Sequence, residues 1–81
     1  MTTLERLTAL IAETNGIHPD AITAGSFIAE ICVDALDWLA LLANSEIEFS
    51  VDLEEQECDR VRNVADLVEL IDAKLIAREA A

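Results

Sequence analysis

The stretch DALDWLALLANSEIEF, residues 34–49, decides the fold of this chain. It contains no Gly or Pro, and Asp34 is a residue suited to cap the N-terminus of a helix. Its apolar residues recur at helical spacing and give one broad face, formed by Leu36, Trp38, Leu39, Leu41 and Leu42. The pattern predicts a long helix that starts after Asp34 and ends between Glu46 and Phe49.

A second helix is predicted at the N-terminus. Thr2 followed three residues later by Glu5 forms a capping box, in which each residue satisfies a free backbone N–H near the other. The apolar stripe that follows is Leu4, Leu7, Leu10 and Ile11. Asn15-Gly16 is predicted to end the helix, because glycine adopts the left-handed conformation at low cost.

Residues 17–34 form a long connection between these two helices. Turn-forming residues are frequent here, among them Pro19 and Gly25. The connection also carries four large apolar side chains, which we expect to hold it against the helices: Ile17, Ile22, Phe27 and Ile31. Residues 20–23 are predicted to form a short turn of helix.

The C-terminal third continues the helical pattern. Residues 50–52 form a short break between helices, and residues 53–60 are predicted to form a short acidic helix or helical turn. A last helix is predicted over residues 64–77, capped near Asn63, with a buried stripe of Val64, Leu67, Val68, Ile71 and Leu75. The predicted fold is all-α: one domain, residues 1–81, with three main helices, one short helix and a long loop between the first two.

Charge excludes several function classes. The 81 residues carry 17 acids against 5 bases, for a net charge of −12. Nucleic acid is excluded as a partner because phosphate contacts need Lys and Arg, and an anionic membrane surface is disfavoured for the same reason. No apolar run approaches a membrane span, and the first residues resemble no targeting peptide. We therefore expect a cytoplasmic monomer.

The acids are unevenly placed. No Lys or Arg lies between Leu7 and Asp59, a stretch that holds most of the acids. A solvated acidic face that aids solubility explains this distribution. A surface that attracts basic partner proteins explains it equally well. In both cases the charges repel one another, and we expect salt to stabilise the fold.

The chain offers little for catalysis or metal binding. Cys32, Cys58 and His18 match no zinc spacing, and residues 52–63 lack the alternating ligands and central glycine of a calcium loop. One His, no Tyr and two Gly leave no catalytic triad and no phosphate loop. We predict no catalytic residue, no metal site and no enzyme activity, and two reduced structural cysteines.

The segment Asp34-Ala35-Leu36-Asp37, at the junction of loop and helix, resembles the modification motif of acyl carrier proteins. The resemblance extends over nearly the whole chain. It includes Gly16-Ile17 with Ile22-Thr23, Ser26 to Ile31, Glu46 to Phe49, Leu53 to Glu55, and Val61 to Ile71. The chain departs from the family pattern at Cys32, Ala35, Trp38 and Glu54.

The resemblance implies a carrier of acyl intermediates for fatty acid, lipid or polyketide biosynthesis. In the family, a serine at the position of Ala35 bears 4′-phosphopantetheine, and Asp34 is placed to help hold the Mg²⁺ used during attachment. Ala35 has no oxygen for a phosphodiester, so the cofactor is expected only if serine stood there. Either a serine was replaced to trap an unmodified form of a carrier, one with a specialised set of partners, or this is a natural paralogue that acts as an interaction module for basic partner proteins. A third interpretation is an unrelated small acidic helical domain.

The resemblance also implies partners: a phosphopantetheinyl transferase, and acyl-transferring or chain-extending enzymes with basic patches. The predicted partner surface, mainly the exposed side of the second long helix, consists of Leu36, Asp37, Ala40, Ala43, Asn44, Ile47, Glu48, Glu54, Glu55 and Glu57. The predicted slot for an acyl chain is lined by Phe27, Ile31, Leu39, Leu42, Leu67 and Ile71. For any single one of these six residues, ordinary core packing is the simpler interpretation.

Overall fold

The computed structural model describes residues 1–80 and is mostly helical. Three long helices form it: α1 (Thr3–Asn15), α3 (Ala35–Phe49) and α4 (Val64–Ala80). A short helix, α2 (Ile28–Ile31), and two 3-10 turns, Pro19–Ala21 and Glu55–Cys58, lie in the connections. The predicted all-α fold with three main helices is confirmed.

Both ends of α1 follow the sequence signals. The Thr2 hydroxyl accepts from the backbone N–H of Glu5 at 3.1 Å, and the Glu5 carboxylate accepts from the N–H of Thr2 at 3.0 Å. The bond from the Thr2 backbone N–H to the Glu5 carboxylate lowers the pKa of Glu5, because it favours the charged form of the carboxyl group. Gly16 ends the helix with φ of 67°. The capping box and the left-handed end are therefore confirmed.

The connections differ from the prediction in detail. The expected short acidic helix or helical turn over residues 53–60 is present as a four-residue 3-10 turn, Glu55–Cys58, and the expected turn over 20–23 lies one to two residues earlier, at Pro19–Ala21. Helix α2 was not predicted, and α4 extends to Ala80 instead of ending at residue 77. Four-residue helices carry too short a periodic pattern to be recognised in a sequence.

The core lies where the three long helices meet. Leu7 and Ile11 of α1, Leu41 of α3, and Leu67 and Ile71 of α4 are completely buried. The long connection contributes Ile22 and Ile31 as predicted, with Ile17 partly buried. Phe27 is the exception, since 54% of it remains exposed.

Backbone hydrogen bonds fasten the long connection to the start of α4. The N–H groups of Val64 and Ala65 donate to the carbonyls of Ser26 and Ala24, at 2.9 and 2.8 Å, and Ile28 donates to the Arg62 carbonyl at 2.9 Å. These bonds satisfy two of the N–H groups that the first turn of a helix leaves free. The connection is therefore held against the start of α4.

Candidate functional site

Two aspartates cap the N-terminus of α3. Asp34 has extended backbone angles, and its carboxylate accepts from the backbone N–H of Asp37 at 2.9 Å. The Asp37 carboxylate accepts from the N–H of Val33 at 3.2 Å. This is a reciprocal cap of the capping-box kind, built from two acids. It fixes where the helix begins and therefore where residue 35 lies.

Ala35 is the first residue of α3, and it is exposed. Leu36 beside it is 76% exposed, so a large apolar side chain stands in solvent next to the helix tip. The N-terminus of a helix carries about half a positive charge and suits an anion such as a phosphate. A group attached at position 35 would extend into solvent from this tip.

The side chain at position 35 does not fit a phosphodiester-linked cofactor. Ala35 ends in a methyl group, which offers no oxygen and no nucleophile. The position, its exposure and its acidic neighbours suit an attachment point, but the chemical group is missing. Asp34 is explained in the present structure by its capping bond to Asp37.

The residues of the predicted partner surface are brought to the outside of the protein. Seven of the ten are exposed and the remaining three, Asp37, Asn44 and Glu57, are partly buried. Ile47 is 78% exposed, which matches Leu36 as a large apolar side chain in solvent. Asn44 and Glu57 are engaged internally, with Thr14 and Lys74 respectively. Apolar and acidic side chains thus share one exposed side of α3.

The six residues of the predicted acyl slot differ in how deeply they are buried. Ile31, Leu42, Leu67 and Ile71 are buried in the core, whereas Phe27 and Leu39 are 54% and 44% exposed. The core positions are filled by one another, as in ordinary packing.

A different pocket lies near the start of α3. Its volume is about 340 Å³, and it is lined by Ile28, Ala29, Cys32, Trp38, Cys58, Val61 and Arg62. None of the six predicted slot residues lines it. Cys32 and Trp38 stood out in the sequence only as departures from the family pattern, and no sequence signal placed them around one pocket.

Both cysteines of this pocket are free and buried. Burial raises the pKa of the Cys32 thiol, with a further contribution from Asp37, and burial likewise raises the pKa of Cys58. A raised pKa keeps a thiol protonated and slow to react. Both side chains are buried free thiols, which fits a structural role.

Two further properties concern metals and membranes. In the part of the chain that the structure describes, no three His, Cys, Asp or Glu side chains are grouped so that they could hold a metal ion. Among the helices within residues 1–80, none combines the length and the apolar character that crossing a bilayer requires.

The fold and the site define a small acidic helical protein with an exposed residue, Ala35, at the N-terminus of a long helix. An acyl carrier protein of Thermosynechococcus vestitus is 28% identical to this chain over 75 residues, which cover 91% of this chain and 93% of the relative. No protein-family model matches the chain. The similarity supports the resemblance to acyl carrier proteins that the motifs indicated, and with it a carrier type of protein.

Proposed function

We propose that this chain is an acyl carrier protein in an unmodifiable form, with position 35 as the place where the family's prosthetic arm is attached. The observation that carries the proposal is the position of Ala35: exposed, first in α3, and held by the Asp34–Asp37 cap. The flanking Asp34, Leu36 and Asp37 all agree with the family motif. Only the hydroxyl group is missing.

The pathway follows from the family. A carrier of this type supplies fatty acid, lipid or polyketide biosynthesis, with 4′-phosphopantetheine as the group that would hold the cargo as a thioester. Its partners are a phosphopantetheinyl transferase and acyl-transferring or chain-extending enzymes that present basic patches. The net charge of −12 supports attraction to such patches.

The part of the proposed partner surface that lies on α3 is mainly apolar and holds few acidic side chains. Within α3, the exposed side combines Leu36, Ala40, Ala43 and Ile47 with a single acid near its start, Asp37. Apolar contact contributes more to docking on such a surface than ion pairs do. This composition supports a specialised set of partner enzymes.

A second candidate function is a paralogue that docks on partner proteins without carrying cargo. The methyl group of Ala35 favours it, because the docking surface is present while the attachment chemistry is absent. Such a module would compete with functional carriers for the basic surfaces of their enzymes.

The first experiment restores the hydroxyl. The Ala35→Ser variant is incubated with CoA, Mg²⁺ and a phosphopantetheinyl transferase, and its mass is measured. Gain of one phosphopantetheine supports the attachment position. The matched control is Ala40→Ser, an exposed alanine on the same helix, which must stay unmodified. If Ala35→Ser also stays unmodified while an established carrier is labelled in the same mixture, the proposal is wrong.

The second experiment separates carrier from module. The chain with Ala35 is added to a ketoacyl synthase assay that runs on an established carrier. Competitive inhibition favours the docking module, because binding then persists without an arm. Absence of inhibition, together with labelling of Ala35→Ser, favours a carrier that depends on its arm.

A further inference from the structure

Two side-chain contacts join α1 to α3 across their outer faces. The Asn44 amide donates to the Thr14 hydroxyl at 3.0 Å, and the Arg6 guanidinium pairs with the Glu48 carboxylate at 2.9 Å. The helices are in contact at these two points, and an open groove runs between them.

The groove consists of two adjoining hollows. Their volumes are about 400 Å³ and 260 Å³, and both are lined by Leu10, Glu13 and Glu48. Shared walls make them one continuous depression, which we call the α1–α3 groove. Its principal residues are Arg6, Leu10, Glu13, Asn44, Ile47 and Glu48.

Apolar side chains are accessible in this groove. Leu10 is partly buried, and Ile47 is 78% exposed. A hollow of this size that contains an exposed isoleucine can bury a large apolar side chain of a partner, and the removal of that surface from water favours binding.

The charged side chains that line the groove favour a basic partner. Arg6 is paired with Glu48: its Nε and Nη2 groups donate to the Glu48 carboxylate, Nη2 also donates to the Glu48 carbonyl, and the guanidinium lies 4.5 Å from the centre of the Phe49 ring. It therefore neutralises Glu48 and is not free to bind an acid. Glu13 is exposed and makes no ion pair or side-chain hydrogen bond within residues 1–80. One carboxylate remains available beside the apolar surface.

We propose that the α1–α3 groove docks a basic amphipathic helix of a partner protein. An apolar side chain of that helix packs against Leu10 and Ile47, and a neighbouring Lys or Arg pairs with Glu13. The opposite charge pattern, an acidic or a neutral helix, leaves Glu13 unpaired and gains less.

The groove lies apart from position 35, toward the other end of α3. Twelve residues of helix separate Ala35 from Ile47, roughly 18 Å along the axis. Because the groove shares Asn44, Ile47 and Glu48 with the proposed partner surface, this inference rests in that part on the proposed function. It adds the contribution of α1 and the chemistry of the partner, and it requires no prosthetic arm.

The test is an NMR titration of the ¹⁵N-labelled chain with a short synthetic Leu–Lys peptide that forms a basic amphipathic helix. The largest amide shift changes are expected at Leu10, Glu13 and Ile47. Ile47→Ser should weaken binding by about tenfold, since an apolar contact is lost. Glu13→Gln should weaken it by about twofold to fivefold, as expected for an exposed ion pair.

Matched controls lie on α4. Ile76→Ser replaces another isoleucine that is 66% exposed, and Glu69→Gln removes an exposed carboxylate. Both should leave the affinity unchanged, which separates docking in the groove from attraction to the net charge. A peptide with Glu in place of Lys should not bind.

Three results would overturn the inference: shift changes spread over the acidic surface, equal weakening by the α4 controls, or concentration-dependent shifts at Ile47 without peptide. The last result would mean that a second copy of the chain covers the groove. Because the titration uses the chain with Ala35, its outcome is independent of whether Ala35→Ser accepts phosphopantetheine. Failure of either experiment therefore identifies which of the two proposals is wrong.

Discussion

The Asp34 carboxylate accepts a hydrogen bond from the backbone N–H of Asp37 across 2.9 Å. The bond satisfies one of the N–H groups that the first turn of α3 leaves free, and it places a negative charge at the positive end of the helix. The bond makes Asp34 the N-cap residue and Ala35 the first residue of the helix. If the helix began elsewhere, residue 35 would no longer lie at its tip.

Removal of this cap should destabilise the protein. Asp34→Ala is expected to lower the free energy of unfolding by about 1 kcal/mol, while Asp34→Asn, which still accepts the bond, loses less. Urea denaturation measures both. Asp52→Ala is the control, since Asp52 is exposed and makes no side-chain hydrogen bond in the described part of the chain. Equal losses for Asp34→Ala and Asp34→Asn would contradict the capping role.

Ser45 should be replaceable with a gain in stability. It is completely buried in α3, and its hydroxyl has no hydrogen-bond partner among the described residues. A buried hydroxyl without a partner costs about 1–3 kcal/mol, so Ser45→Ala is expected to raise the free energy of unfolding by roughly 1 kcal/mol. Thermal or urea denaturation gives the value.

An Ala-to-Ser substitution at an exposed position of α3 measures how much of the stability change comes from helix propensity alone. Ala43→Ser, at an exposed position of the same helix, should cost only about 0.5 kcal/mol. A gain from Ser45→Ala no larger than this loss would mean that the buried hydroxyl carries no penalty.

The ion pair between Lys74 and Glu57 should be visible in the pH dependence of stability. The hydrogen bond from Lys74 lowers the pKa of Glu57, and the same bond raises the pKa of Lys74. The contribution of Glu57 is present above its unfolded pKa and is lost as pH falls through its lowered native pKa. That of Lys74 is present below its unfolded pKa and is lost as pH rises through its raised native pKa.

Lys74→Met should therefore differ most from the parent chain between roughly pH 5.5 and 9, and the difference should shrink on either side. Urea midpoints across this pH range provide the measurement. Arg60→Met removes an exposed cation without an ion-pair partner in residues 1–80, and it controls for the change in net charge. The prediction fails if both variants show the same pH profile.

Added salt should raise the melting temperature. With a net charge of −12, repulsion between carboxylates opposes folding, and salt screens it. From about 10 mM to about 300 mM NaCl the screening length falls from roughly 30 Å to below 10 Å. We expect a rise in Tm of several degrees by calorimetry. The rise should disappear near pH 4, where many carboxylates are protonated, and a flat Tm at pH 7 would be inconsistent with strong self-repulsion.

Local signals predicted the long helices well. Thr2 with Glu5, Gly16 and Asp34 each act within four residues, so the sequence alone reveals the helix ends that they determine. The end of α3 at Phe49 lies within the predicted range, but the left-handed conformation of Ser50, with φ of 54°, was not predicted because a serine in this conformation has no distinctive local pattern.

Features that depend on distant contacts were not predicted. Helix α2 has no side-chain cap, and its first N–H bonds to the Arg62 carbonyl, a contact between segments far apart in sequence. The pocket near the start of α3 brings Cys32, Trp38 and Cys58 together from three segments. Helical spacing shows which residues share a face, but not how deeply each is buried, as the exposure of Phe27 and Leu39 illustrates.

The backbone N–H groups of Val64 and Ala65, at the start of α4, donate to the carbonyls of Ser26 and Ala24. These bonds affect how the protein unfolds locally. A connection held this way cannot swing aside independently, because lifting it frees the amides of Val64 and Ala65 in the same event. Hydrogen exchange at those two amides should therefore follow the mobility of the crossing segment. A protease cut near Gly25 would therefore destabilise the start of α4 as well as the connection that was cut.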